Sequence, residues 1–150
     1  MNELKQKKDF LYRKAQGNLL KDKYYKKIES LTLNPVNTSN FMSLEDTDLI
    51  IEKLNEIEEI SRKKIELTNM YNLIDLVGGG ITTKKIYMLL DEEWKFLGAY
   101  KVDGIIYINS HYDFEKMESD EIRLIAEDFS FYIQIDYDFN EITCEFFIYK

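Results

Sequence analysis

The sequence predicts an α+β fold: N-terminal helices packed on a mostly antiparallel β-sheet of about five or six strands that ends in a C-terminal hairpin. Three observations lead there. Residues 1–69 carry apolar side chains mainly at helical spacing, whereas residues 70–150 carry short runs rich in β-branched and aromatic side chains. Residues 129–149 alternate apolar and polar so regularly that a pairing register can be written down. No repeat and no long linker interrupts the 150 residues, so a single domain over 1–150 is expected.

The elements follow in order. Residues 3–15 lack Gly and Pro and place Leu4, Leu11 and Ala15 at helical spacing. Gly17-Asn18 predicts a break or kink, after which Leu20, Tyr24, Ile28 and Leu31 form a cleaner stripe. Asn34-Pro35 opens a polar connection to Ser39-Asn40. Ser43 reads as an N-cap, with Glu45 and Asp46 in the first turn, where the helix dipole favours acids. Ile50, Leu54, Ile57, Ser61 and Ile65 extend one face, and Glu59 lies four residues before Lys63, so this helix is expected to run to about Thr68. Leu73–Val77 is a short apolar run ending at Gly78-Gly79-Gly80. Lys85–Leu90 reads as a strand, Asp91-Glu92-Glu93 as an acidic turn, and Trp94–Tyr100 alternates bulky residues at period two. Asp103-Gly104 signals a hairpin into Ile105–Ile108. A polar, acidic stretch follows, and a short helix is expected over Asp120–Glu127 with Ser119 as its cap.

The last hairpin is specified most sharply. If Asp138 faces Glu141, then Tyr137 faces Ile142, Ile135 faces Cys144, Ile133 faces Phe146 and Phe131 faces Ile148. Every apolar residue meets an apolar one, and a slip of one position would oppose each to a polar residue. Cys144 is therefore expected in the core.

Composition removes several function classes. One Cys excludes an intramolecular disulfide, a CxxC pair and a multi-Cys zinc site, and one His excludes a two-His metal motif. No apolar run approaches a membrane span and no apolar region follows the charged start, so a cytoplasmic protein without membrane contact is expected. The net charge is −8 and uneven. Residues 1–29 hold nine basic side chains against four acidic ones, while residues 91–150 hold five against fifteen. A field of that sign repels nucleic acid and draws basic proteins, although acidity also serves solubility alone. Lys5, Lys7, Lys8, Arg13, Lys14, Lys21, Lys23, Lys26 and Lys27 are read as a solvated helix face rather than an RNA contact.

No catalytic pattern is complete in the sequence. Gly78-Gly79-Gly80 is followed by Ile81-Thr82-Thr83-Lys84, not the Lys-Ser/Thr and helix that a phosphate loop needs. A nucleophilic Cys144–His111 pair conflicts with the hairpin register, and no Ser carries a nucleophile-elbow pattern. Asp113, Glu115, Glu118, Asp120 and Glu121 cluster, but a calcium loop beginning at Asp113 would need Gly at position 118 and Glu at position 124, which are Glu and Leu. No cofactor or metal and no catalytic residue is assigned.

The outward side of the hairpin combines Tyr132 opposite Phe147, Gln134 opposite Glu145, and Asp136 opposite Thr143, with Asp138 at its end. Aromatic anchors beside carboxylates suit a protein interface that receives basic side chains; the alternative is that a helix covers these aromatics as a second core layer.

A small, acidic, cysteine-poor α+β domain rich in Lys, Ile, Asn and Tyr resembles a bacterial immunity protein of polymorphic or contact-dependent growth-inhibition toxin systems. The resemblance rests on Asp91-Glu92-Glu93-Trp94-Lys95-Phe96-Leu97-Gly98 and on Ala126–Phe131 running into Ile135-Asp136-Tyr137-Asp138, roughly the C-terminal half. It implies a non-catalytic protein that binds and neutralises a cognate toxin domain, commonly a basic nuclease. The expected partner-binding residues are Asp113, Glu115, Glu118, Asp120, Glu121, Tyr132, Asp136, Asp138, Glu145 and Phe147. An adaptor unrelated to toxins, or an enzyme using carboxylates, are the alternatives.

Overall fold

A computed structural model describes residues 3–67, 73 and 81–149. The fold is α+β. Helix α1 spans Glu3–Thr32, α2 Leu44–Glu56 and the short α3 Trp94–Leu97. The strands are β1 (Glu59–Leu67), β2 (Ile86–Leu90), β3 (Tyr100–Val102), β4 (Glu121–Ala126), β5 (Phe131–Asp138) and β6 (Glu141–Tyr149). Among the described residues they form one sheet in the order β1-β6-β5-β4-β2-β3, with every pairing antiparallel.

The terminal hairpin has the register the alternation predicts, from Asp138↔Glu141 through Ile135↔Cys144 to Phe131↔Ile148. Phe131, Ile133, Ile135 and Cys144 are buried, at about 1.5–3 kcal/mol for a fully buried side chain of this size. Phe139 and Asn140 form the two-residue turn with φ of 47° and 67°. Two positive φ values give the turn the twist its strands need, but a bulky aromatic there is strained.

Several local expectations are overturned. α1 is continuous through Gly17. A Cβ there would lie 2.6 Å from the Phe96 carbonyl oxygen, so this glycine lets α1 rest on α3 rather than breaking it. Leu4 and Leu11 are exposed, and burial along α1 begins at Gly17 and concentrates at Tyr24, Ile28 and Leu31. Asn109 closes its C-terminal end, its backbone N–H donating to the Leu31 carbonyl at 2.6 Å and its side-chain amide to the Ser30 carbonyl at 2.9 Å.

Ser43 caps α2 as expected, accepting from the Asp46 N–H at 3.0 Å, but the helix stops at Glu56. The residues expected to continue it form β1, and Glu59 pairs with Arg62 at 2.7 Å instead of with Lys63. Glu, Lys and Arg favour a helix locally. The competing term is non-local: β1 pairs with β6 from Ile142 to Tyr149, with one register shift between Glu59 and Ser61. A similar competition converts the helix expected over Asp120–Glu127 into β4, an interior strand between β5 and β2. Its Ile122 and Leu124 face one side of the sheet and its Glu121 and Arg123 the other, a period of two.

Trp94–Leu97 is one helical turn, not a strand. It ends at Gly98 (φ 94°), where a Cβ would lie 2.2 Å from the Met42 carbonyl oxygen. Ile105–Tyr107 is a 3-10 turn rather than the second strand of a hairpin; β3 pairs back onto β2. The readings of Ile74–Val77 and of Gly78-Gly79-Gly80 fall outside the described residues. No described helix is long and apolar enough to cross a membrane.

Candidate partner-binding face

The sheet presents the hairpin's polar side as three rows that cross β1, β6, β5 and β4. The row nearest the β5–β6 turn reads Glu66, Thr143, Asp136, Glu121. The next reads Lys64, Glu145, Gln134, Arg123, and the third Arg62, Phe147, Tyr132, Ile125. The face therefore grades from apolar with one arginine, through alternating charge, to acidic. Asp138 and Glu141 continue the acidic end, directly opposite each other and both exposed, and Phe139 stands at the tip with 90 % of its surface exposed.

The chemistry along these rows is specific. Tyr132 donates from its hydroxyl to the Gln134 side-chain oxygen at 2.7 Å, and the Gln134 amide donates to Asp136 at 3.2 Å. Glu121 is held by the Arg123 guanidinium, which also lies 5.8 Å from the Trp94 ring. Arg62 sits 4.7 Å over the Phe147 ring and 3.9 Å from Glu145. Asp136 is half-buried, and burial, together with the charges of Glu121 and Glu145, pushes its pKa above the ordinary value. Three carboxylates on three adjacent strands thus bear on one another.

Tyr132 is not the exposed anchor expected of it. Flanked by Ile125 and Phe147 and stacked on the Phe147 ring at 5.2 Å, it is buried. Phe147 and Tyr149 are half-buried in the same stack. The aromatics work mainly as a platform beneath Arg62.

The acids of 113–121 go elsewhere. Asp113 accepts from the Lys116 N–H at 3.0 Å and shapes the turn that follows. Glu115, Glu118 and Asp120 line a cleft of about 530 Å³ between α1, the 114–120 segment and the end of β5. Tyr137 joins the two regions: its backbone N–H donates to the Asp120 carbonyl at 2.8 Å and its hydroxyl to Glu115 at 2.8 Å. The sheet-face acids and the cleft acids therefore lie on either side of the same end of β5.

The sequence reading missed Lys27. It is not part of the solvated face but is 1 % exposed, with its ammonium 2.6 Å from both Asp91 and Glu93. Asp91 also accepts from the backbone N–H groups of Asp120 and Glu121 at 2.8 and 2.9 Å. Burial works to raise the Asp91 pKa, but Lys27 and the two N–H donors outweigh it and hold it low. Phe139 carries a signal in the sequence as well: it is an aromatic in a two-residue turn where Asn or Gly is the ordinary choice.

Cys144 is fully buried, and burial pushes its thiol up to about 12, which keeps it from acting as a thiolate. Among the described residues no group of three or more His, Cys, Asp or Glu side chains is arranged to hold a metal ion. No protein-family profile, curated protein or solved structure matches the chain.

Proposed function

We propose that this protein is a non-catalytic immunity protein, acting in the cytoplasm, that binds and neutralises a toxin domain, a basic nuclease, by docking its acidic end over that domain's nucleic-acid cleft. The observation that supports this most is the graded sheet face, whose acidic end carries the strained, fully projecting Phe139. Turn strain that an Asn would relieve, and a half-buried Asp136 held among like charges, both cost the free protein some stability, which is the pattern of a recognition surface. Long-range attraction speeds encounter, and Phe139 supplies an apolar anchor within the acidic surround.

The test begins with the reading frames that flank this protein's own gene, where a toxin with a basic C-terminal domain is expected, and uses that domain as the partner. Stopped-flow association should slow with added salt. It should slow by about tenfold or more in Asp136→Lys/Glu145→Lys, and also in Asp138→Lys/Glu141→Lys, whose exposed positions spare the fold. An association rate indifferent to salt and to both pairs, or a neighbouring gene product that neither binds nor is inhibited, would remove this reading.

A further inference from the structure

Helix α1 is apolar on two opposite sides. Its inward side is buried at Gly17, Tyr24, Ile28 and Leu31. Leu11, Tyr12, Ala15 and Leu19 follow at spacings of one, three and four residues, which puts them together in one outward stripe. Leu11, Tyr12 and Leu19 are 66, 60 and 78 % exposed, and Ala15 is exposed as well. This half of the helix is clamped rather than frayed. Arg13, on the inward side, donates to the two Asp48 carboxylate oxygens at 2.7 and 3.0 Å and to the Lys95 carbonyl at 2.8 Å. The stripe is therefore a fixed apolar surface facing solvent, a feature that marks an interaction site.

Charge decides what fits it. Residues 3–16 hold five basic side chains against two acidic ones, and the exposed Lys7, Lys8 and Lys14 border the stripe. An occupant must be acidic and carry an apolar knob, so the basic domain proposed above has the wrong sign. The protein itself has such a surface at the turn end of the β5–β6 hairpin, where Phe139 projects with 90 % of its surface exposed, flanked by the exposed Asp138 and Glu141.

The two surfaces stand on opposite lips of one cleft. Leu20 and Lys23 of α1 line it on one side and Tyr137 of β5 on the other, and Leu19 and Asp138 are their immediate neighbours in the chain. Within one copy the cleft separates them. A two-fold axis through the cleft sets each lip against the opposite lip of a second copy.

We propose that two copies of this chain associate about such an axis, with Phe139 of each seated on the Leu11–Leu19 stripe of the other and Asp138 and Glu141 against Lys8 and Lys14. The contact is made twice and closes, so association stops at a dimer. It covers the acidic end of the hairpin, so the dimer and the partner complex exclude each other, but the dimer does not depend on that partner.

Sedimentation velocity of the full chain over micromolar to submillimolar concentrations should show a reversible monomer–dimer equilibrium that weakens with added salt. Leu11→Ser/Leu19→Ser and Phe139→Ser, at exposed positions that spare the fold, should each lower the association constant about tenfold or more. Charge reversal gives the sharpest readout. Lys8→Glu/Lys14→Glu and Asp138→Lys/Glu141→Lys should each be monomeric alone, and an equal mixture of the two should regain dimers, because both contacts are then complementary again.

A monomer at every concentration, self-association indifferent to these variants, a mixture that stays monomeric, or growth beyond the dimer would each overturn the proposal. So would a chain that stays monomeric yet floats with phosphatidylglycerol vesicles unless Leu11 and Leu19 are replaced, which would assign the stripe to a lipid surface. The two readings fail separately. A dimer that binds no flanking toxin domain retains this inference and loses the proposed function, and a salt-sensitive toxin complex formed by a strictly monomeric chain does the reverse.

Discussion

Two groups of carboxylates in this protein are used in opposite ways. Asp91 and Glu93 close on the buried Lys27, and Asp91 accepts two backbone N–H donors besides. Glu121, Asp136, Asp138 and Glu145 crowd one face, where Arg123 and Arg62 offset only part of their charge. The first group is stabilised by its surroundings and locks α1 to the turn after β2. In the second, burial and the charges of Glu121 and Glu145 put Asp136 under electrostatic load in the free protein, a load that the basic partner proposed above would relieve. Acid content alone says nothing about which carboxylates are available; the count of donors around each one does.

Breaking the inner group should have the largest effect. Lys27→Met leaves two carboxylates buried without their cation and should destabilise the fold by about 3–5 kcal/mol in chemical denaturation. Adding Asp91→Asn and Glu93→Gln to it should recover much of that loss. If Lys27→Met alone were neutral, the inner group would not be structural.

The outer group should respond with the opposite sign. Phe139→Asn places a residue suited to positive φ in the turn and should stabilise by about 0.5–1 kcal/mol, while slowing association with the basic partner. Asp136→Asn should raise the melting temperature slightly at neutral pH, within about 0.5 kcal/mol. A stabilised variant that binds as well as the wild type would sever the link between strain and recognition.

Acid titration sharpens the contrast further. Asp91 is held low, and Asp128, bonded by the Ser130 hydroxyl and by Lys84, is held at about 2. The stabilisation each contributes is complete above the ordinary carboxylate value of about 4 and is lost as pH falls through its own folded value, about 2 for Asp128. Asp136 has a raised pKa, so its charged form opposes folding, and protonation on acidification relieves this first. The advantage of Asp136→Asn should therefore vanish below about pH 4.

Much of this was legible in the sequence where one face decides everything. The β5–β6 register follows from alternation because a slip would expose Ile133 and Ile135. The cap at Ser43 is local chemistry and was equally readable. β1 and β4 were not, because Glu59–Leu67 and Glu121–Ala126 have side chains compatible with a helix, and what makes them strands is the unpaired edge of another segment far along the chain. Gly17 misled for a related reason: its purpose is the distance to Phe96, which no local rule encodes. The three-row face needed the β1–β6 and β4–β5 pairings before its grading could appear. Lys27 could not be separated from the other eight basic residues of the opening helix without knowing which side meets the turn after β2.

The single cysteine has a practical consequence. Cys144 lies in β6 opposite Ile135, sealed from water and raised in pKa. An alkylating reagent reaches it only when the terminal hairpin opens, so the rate of modification is a native reporter of that opening. A ligand seated on the neighbouring surface should slow the labelling in proportion to its occupancy, with no engineered probe required.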